Sequence, residues 1–238
     1  MQILRIMPSL ALLMWIGAAA AQSPENTQKT YSLSVSRHVG VPALSKPDVE
    51  KILSDASKML QRRSASDDDV PCNVTFELKG PIGTFASPTK PVVNESNIAA
   101  VHRVDSDIDG VDFHVKVVEE IDFCRKELTG KFQGCSFSPP DFRSIIVVHP
   151  SLHQDSRERP LASFPDHLLW AHEFGHLTGL GHRDDDSDAL MTPCPLDTQF
   201  AGHSDALVRV NDKECRHLRA GPGKPPPAPF SGNGNCRR

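Results

Sequence analysis

The sequence predicts an α+β domain, because segments with strand periodicity and segments with helical periodicity follow one another along the chain. Residues 31–37 alternate apolar and polar side chains, which is typical of a strand with one buried face. Residues 47–61 repeat apolar side chains at helical spacing, which indicates an amphipathic helix of about four turns. Residues 144–149 form a β-branched run of the kind found in interior strands.

The remaining elements complete this alternation of strands and helices. Further strands are predicted over residues 73–78, 98–104 and 111–118, and a loop over the Pro-, Ser-, Thr- and Asn-rich residues 80–97. The strand at 111–118 alternates so cleanly that we expect it at a sheet edge with one solvated face. A second long helix is expected to begin after a cap at Ser163, and a last helix covers residues 203–218.

The first 21 residues have the composition of a secretory signal peptide. One basic residue, Arg5, precedes an apolar run, and small residues stand before Gln22. The run is too short for a comfortable membrane span, although a retained anchor is the alternative. We therefore expect an exported protein, extracellular or periplasmic, with no membrane association after signal removal.

Length and charge limit the domain organisation and the partners. The 238 residues divide into the signal peptide (1–21), one domain long enough to bury a sizeable core (22–220) and a Pro/Gly-rich C-terminal tail (221–238). A formal net charge of −4 and a sequence pI near 6.2 give no basic footprint for nucleic acid. We expect a monomer that binds no nucleic acid.

The segment 172–182 carries the chemistry. His172 and His176 lie on one face of a helix, because four residues make nearly a full turn. Neutral imidazoles at this spacing bind one Zn²⁺, and Glu173 beside them is placed to act as a general base. Gly179 allows the chain to leave the helix and return His182 as a third ligand. Three protein ligands leave one coordination position open, as in catalytic zinc sites.

This segment resembles the metzincin metalloproteases, whose H-E-x-x-H-x-x-G-x-x-H motif is followed by a methionine turn. Met191, within residues 189–193, looks like the methionine of that turn. The resemblance extends over residues 172–193 in motif and over residues 31–220 in element order. It implies a zincin fold with a twisted mixed β-sheet, two long helices, a zinc cleft, a methionine turn and a C-terminal helix.

A closer resemblance is to small secreted matrixin-like proteins of bacterial type. It is carried by the segment from Cys124 to Cys135 and by residues 169–176. Three features depart from related subfamilies: Arg183 follows the third histidine, Thr192 follows the methionine, and no tyrosine follows the turn. No cysteine-switch latch motif is found either.

The resemblance implies a secreted zinc metalloendopeptidase that hydrolyses internal bonds of a protein or peptide substrate. One catalytic Zn²⁺ would polarise the scissile carbonyl, while Glu173 takes a proton from water and passes it to the leaving amine. The substrate is expected to lie extended along an edge strand. The alternative is a catalytically silent zinc-binding interaction module on the same fold, against which the intact Glu173 argues.

The other signals are weaker. Asp105, Asp107 and Asp109 resemble the first half of a calcium loop, but Lys116 stands where an EF-hand needs a bidentate Glu. A different Ca²⁺ loop and a solvated acidic turn remain as alternatives, and the solvated turn is favoured. The eight histidines outside the motif form no second one, and we expect them to be surface or satisfied core residues.

Six cysteines in an exported chain predict disulfides, since no C-x-x-C pair suggests metal ligation. Cys124 and Cys135 are close in sequence and are expected to pair across a short loop. Cys194 and Cys215 are expected to join the methionine turn to the last helix. By elimination, Cys72 is expected to pair with Cys236.

Overall fold

The computed structural model describes residues 27–62, 71–104, 108–124, 129–136, 143–153, 165–183, 189–192 and 208–223. The chain enters through strand β1 (Lys29–His38) and then forms helix α1 (Lys46–Gln61). The hydroxyl of Ser45 accepts a hydrogen bond from the Asp48 N–H and caps α1, with a proline in its first turn. The predicted first strand and first helix are confirmed.

Eight more strands and four more helices follow in the described residues. The strands are β2 (Val74–Leu78), β3 (Gly83–Phe85), β4 (Val92–Val93), β5 (Phe113–Val118), β6 (Glu120–Phe123), β7 (Thr129–Phe132), β8 (Gly134–Ser136) and β9 (Ser144–Val148). The helices are α2 (Ile98–His102), α3 (Pro150–His153), α4 (Asp166–Leu177) and α5 (Asp212–Ala220).

The main sheet is mixed. Its strand order is β2-β1-β5-β9-β8, and β3 also pairs with β1. All pairings are parallel except that of β8 with β9, which is antiparallel and places β8 at one edge. A smaller sheet has the order β4-β6-β7. The predicted combination of a mixed sheet with helices is confirmed.

The two long helices, α1 and α4, pack on the same face of the main sheet and enclose the larger hydrophobic core. Phe174 of α4 is fully buried at the centre of this core. Its ring centroid lies 4.9 Å from that of Tyr31, 5.0 Å from Phe76 and 5.1 Å from Phe113. These aromatic contacts fix α4 against three adjacent strands and so set the position of the motif that it carries.

The opposite face of the sheet is buried under α2 and the smaller sheet, but it contains polar side chains. Ser34, Ser36 and His38 alternate along β1 on this face, and all three are almost fully buried. Lys116 of β5 is fully buried there too, with its ammonium 5.9 Å from the ring centroid of Phe85. Alternation in these strands therefore separates two buried faces of different polarity.

One predicted strand is a helix, and another predicted strand is confirmed but lies inside the sheet. Residues 98–104 contain helix α2, because Ile98, Val101 and His102 are buried at helical spacing and the Ile98 N–H donates to the Asn94 carbonyl at 3.0 Å. Strand β5 is not at an edge but lies between β1 and β9. Its polar residues face a second, smaller hydrophobic core, which lies between the main sheet and the smaller sheet with α2. The loop predicted over residues 80–97 contains the short strands β3 and β4.

The C-terminal helix is shorter than predicted. Asn211 caps α5 through a reciprocal capping box with Glu214, so residues 208–211 precede the helix. The part of the predicted helix before residue 208 lies outside the described residues. Among the described helices, none is long and apolar enough to cross a membrane.

The disulfides follow from these placements. Cys124 pairs with Cys135, as expected, with their Cα atoms 5.6 Å apart. Cys215 pairs with Cys72 at a Cα separation of 5.1 Å, so the expected pairs of Cys215 with Cys194 and of Cys72 with Cys236 are wrong. The reason is that α5 lies along the residues just before β2, where Arg219 also donates to the Cys72 carbonyl at 3.0 Å.

Several predictions concern residues outside the described part of the chain. They are the signal peptide, the helix cap at Ser163, Asp105, Asp107, Cys194, Cys236 and most of the C-terminal tail.

Candidate metal centre

Helix α4 and the chain reversal after it bring three histidines together. His172 and His176 occupy one face of α4, and the helix ends at Leu177. Gly179 then adopts a φ of +90°, a conformation that favours glycine, and the Leu180 N–H returns to the Gly175 carbonyl at 3.0 Å. This turn directs the chain back so that His182 faces the helix.

The three imidazoles converge on one point. One ring nitrogen from each histidine lies within 4.8 Å of the other two, and Nε2 of His176 is 3.0 Å from Nε2 of His182. The ring centroids of His172 and His176 are 4.7 Å apart. In the part of the chain that the structure describes, this is the one cluster of three or more potential metal ligands.

Hydrogen bonds at Nδ1 fix the tautomer of two of the three histidines. Nδ1 of His172 donates to the Leu190 carbonyl at 2.7 Å, and Nδ1 of His176 donates to the Leu180 carbonyl at 2.8 Å. A carbonyl can only accept, so Nδ1 carries the proton and Nε2 presents a lone pair to the cluster. This donor set fits Zn²⁺, which prefers imidazole nitrogens in a tetrahedral arrangement.

The environment also keeps His172 in the neutral form that a metal requires. Burial lowers the pKa of His172 well below its ordinary value, and the neighbouring His176 and His182 lower it further. The hydrogen bond to the Leu190 carbonyl acts in the opposite direction. A neutral imidazole next to two others is the protonation state that binds zinc.

Glu173 follows His172 on α4, and its carboxylate faces the edge strand β8. Burial raises the pKa of its carboxyl to about 7, against the lowering effect of a hydrogen bond from Ser136. The Ser136 hydroxyl is 2.6 Å from Glu173 Oε2 and 2.8 Å from the Glu173 carbonyl oxygen. Gly134 leaves the room for this approach, because a Cβ at that position would collide with the Glu173 carboxylate.

The methionine turn lies under the histidines. Met191 is fully buried, and its sulfur occupies the space next to Gly175 that a Cβ would need. The turn is held on both sides: the Arg183 N–H donates to the Met191 carbonyl at 2.7 Å, and the Leu190 N–H donates to the Arg209 carbonyl at 2.9 Å. The Leu190 carbonyl that orients His172 is therefore itself fixed.

Ser136 and Gly134 are the site residues that sequence reasoning missed. Their contacts with Glu173 join positions that are 37 and more residues apart, and no motif links them. The nearest sequence signal was the segment from Cys124 to Cys135, which includes Gly134 but says nothing of its contact with Glu173. Of the three acidic residues proposed for calcium, Asp109 is described and exposed, and the structure does not test that prediction.

Comparison with solved structures identifies the fold. A structure of mirolysin in complex with compound 9 is 12% identical, covering 81% of this chain and 91% of that chain, with a TM-score of 0.51. Mature mirolysin of Tannerella forsythia in complex with a cleaved peptide is 13% identical, covering 81% and 92%, with a TM-score of 0.50.

At these identities the likeness shows a zincin-like metallopeptidase fold and gives no support to the closer, matrixin-like placement. No family model and no curated protein matches the sequence.

Proposed function

We propose that the protein is a secreted zinc-dependent metalloendopeptidase of the metzincin type. The observation that carries the proposal is the convergence of three imidazoles, two of which present Nε2, at a helix that also carries the buried Glu173. A structural zinc site would be closed by four protein ligands, whereas the cluster in the described residues supplies three. His172, His176 and His182 are the proposed ligands of one Zn²⁺, which supplies Lewis acidity for the scissile carbonyl and for water.

Glu173 is the proposed general base. The Ser136 hydroxyl donates to Oε2, which leaves Oε1 to accept the proton of the attacking water. A carboxyl pKa of about 7 suits a group that must take up this proton and then release it to the leaving amine at neutral pH. Burial, which raises that pKa, also excludes competing water from the carboxylate.

The antiparallel edge strand β8 is the proposed binding surface for an extended substrate. It lies at the end of the main sheet, and Ser136 of the same strand contacts Glu173. A peptide that adds to this edge by main-chain hydrogen bonds would pass the general base. The complex of mirolysin with a cleaved peptide makes a peptide substrate a natural choice for this fold.

Met191 is proposed to support the ligand histidines without binding the metal. Its thioether is a soft, adaptable filler, and its position next to Gly175 puts it against the helix between the two motif histidines. Loss of this filler would loosen the packing under the site but leave the ligand set intact.

Casein hydrolysis tests the proposed function. The mature protein should cleave casein, lose this activity with a zinc chelator and regain it when zinc is restored. Mass spectrometry of the products should show internal fragments, because an exopeptidase would release only terminal residues. Stoichiometric zinc without any cleavage would favour a silent zinc-binding module instead.

Mass spectrometry of the exported protein tests the secretion proposal separately. The mature chain should begin at Gln22 if the first 21 residues are removed as a signal peptide. An exported protein that retains these residues would contradict the assignment of the cleavage site.

A further inference from the structure

Arg183, the residue directly after the third histidine, is anchored twice. Its backbone N–H donates to the Met191 carbonyl at 2.7 Å, and its Nη1 donates to Oε2 of Glu214 at 3.1 Å. The Arg183 side chain is 18% exposed and that of Glu214 is 4% exposed, so the ion pair is largely shielded from water. Because His182 is covalently joined to Arg183, these anchors restrict where the His182 backbone can lie.

Glu214 is held in place independently of Arg183. It occupies the third position of α5, where its N–H donates to Asn211 Oδ1 and its Oε2 accepts from the Asn211 N–H, both at 2.9 Å. The capping box thus holds the Glu214 carboxylate in position whether or not Arg183 contacts it. The Glu214 carboxylate serves two elements at once, the start of α5 and the chain that carries His182.

Helix α5 is in turn fixed to the rest of the domain. Cys215, the residue after Glu214, forms a disulfide with Cys72, which ties α5 to the residues just before β2. At its other end, the Tyr31 hydroxyl contacts the carbonyls of Leu218 and Arg219 at 2.9 and 2.8 Å. A helix held at both ends can serve as a rigid reference for the ligand loop.

The energetics point to a role other than stability. Desolvation offsets most of the Coulombic gain of a buried ion pair, so such a pair contributes little net stability. Removing one partner, however, leaves a buried charge without its counterion and displaces the chain around it. Next to a metal ligand, that displacement acts on the geometry of the site.

We infer that Arg183 and Glu214 are positioning residues for the third zinc ligand, His182, and that they hold it against helix α5. The inference rests on the proposed function in that it takes zinc as the bound ion. Groups that orient metal ligands typically change metal affinity by about 10–100-fold when they are removed. The pair should therefore be visible in zinc binding itself, without reference to peptide cleavage.

The experiment measures the zinc Kd of the mature protein by competition with a chelating dye, together with the thermal midpoint of the zinc-free form. Arg183→Met should weaken zinc binding by about 10–100-fold. Glu214→Gln, which keeps an oxygen for the Asn211 N–H, should weaken it by a similar factor. The double variant should bind zinc no more weakly than the single variant with the lower zinc affinity. Arg183→Lys should bind zinc more tightly than Arg183→Met.

Tyr31→Phe is the matched control, because it loosens the far end of the same helix. It should lower the thermal midpoint but leave the zinc Kd within about twofold of wild type, since it keeps the ring that packs on Phe174 and removes only the hydroxyl at the end of α5. Wild-type zinc affinity in both Arg183→Met and Glu214→Gln would overturn the inference. An equal loss of affinity in Tyr31→Phe would also overturn it, because a general loosening of α5 would then explain the effect.

The same measurements separate this inference from the proposed function. Tight zinc binding by the wild type without any peptide cleavage would count against the peptidase proposal and leave the inference standing. A wild type that binds no zinc would contradict both.

Discussion

Two regions of the molecule bury histidines, and they use the ring nitrogens differently. His172 and His102 are equally buried, each 4% exposed. In the candidate metal centre, Nδ1 of His172 donates to a carbonyl, which leaves Nε2 to face two other imidazoles. On the far face of the main sheet, Nε2 of His38 donates to the Pro88 carbonyl at 2.6 Å while Nδ1 accepts from the Gly40 N–H at 2.9 Å.

Both rings donate to a carbonyl, so neither burial nor that bond distinguishes a candidate metal ligand: the second nitrogen of His38 accepts from a backbone N–H, whereas His172 belongs to a cluster of three imidazoles. Nδ1 of His149 accepts from the Ser151 N–H at 3.2 Å, and Nδ1 of His102 contacts the Ser144 hydroxyl. None of the far-face histidines belongs to a cluster of three potential metal ligands in the described residues. On the far face the ring nitrogens bond to nearby backbone and hydroxyl groups, whereas in the metal centre one nitrogen of His172 is bonded to a carbonyl and the ring faces two other imidazoles.

Replacing one histidine in each region, in separate variants, should give the largest difference in zinc binding. His172→Ala should abolish stoichiometric zinc binding and peptide cleavage, because two imidazoles hold zinc far more weakly than three. His38→Gln should lower the thermal midpoint but retain one zinc per chain, as measured by elemental analysis after dialysis. Loss of zinc from His38→Gln, with the fold intact, would remove the distinction between the two regions.

The proposed general base, Glu173, is found only in the region of the candidate metal centre, and its replacement gives the next largest expected effect. Glu173→Gln should retain zinc but lower kcat by about 10²–10⁴-fold, since the amide cannot accept the proton of water. Steady-state cleavage of a fluorogenic peptide, with zinc content measured on the same sample, checks this result. Activity within a few-fold of wild type would show that Glu173 is not the base.

The pH dependence of folding stability tests the comparison at His102, a buried histidine on the far face of the main sheet. Burial, together with the positive charge of Lys116, lowers the pKa of His102 from 6.5 to about 3. The unfolded chain therefore binds a proton at His102 below pH 6.5 while the folded chain does not, so folding stability falls as the pH drops from 6.5 towards 3.

Urea unfolding of wild type and His102→Gln across this window measures the effect. The wild type should lose up to about 4 kcal/mol more than the variant between pH 6.5 and 3. Parallel pH profiles for the two proteins would show that His102 is not held neutral by the fold.

A smaller effect is expected at Ser136, which holds the Glu173 carboxylate. Ser136→Ala should lower kcat by about tenfold with little change in KM, because a hydrogen bond to a charged group is worth about 1.5–3 kcal/mol. Ser136→Thr keeps the hydroxyl and should recover most of kcat. A kcat for Ser136→Ala equal to that of wild type would show that β8 does not position the base.

The predictions from sequence succeeded where the information is local. The spacing of His172, His176 and His182 predicts that the three imidazoles converge, because the helical repeat and a glycine turn fix their geometry within 11 residues. Helix α1 and strand β9 also follow from their own periodicity and caps. In these segments the neighbours along the chain determine the structure.

The predictions failed where distant packing decides. Residues 98–101 have the β-branched ends of a strand, but burial of Ile98 and Val101 in the second core stabilises a helix instead. The alternation around Lys116 indicated a solvated face, whereas tertiary packing buries Lys116 completely. The disulfide of Cys72 with Cys215 spans 143 residues, and the contact of Ser136 with Glu173 crosses from a sheet edge to a helix.

Anomalous diffraction at the zinc absorption edge, from crystals of the zinc-loaded mature protein, tests the central claim most directly. The account predicts a single peak about 2.0–2.1 Å from Nε2 of each of His172, His176 and His182, with Met191 outside coordination distance. A peak at another place, or any of these three imidazoles turned away from the metal, would contradict it.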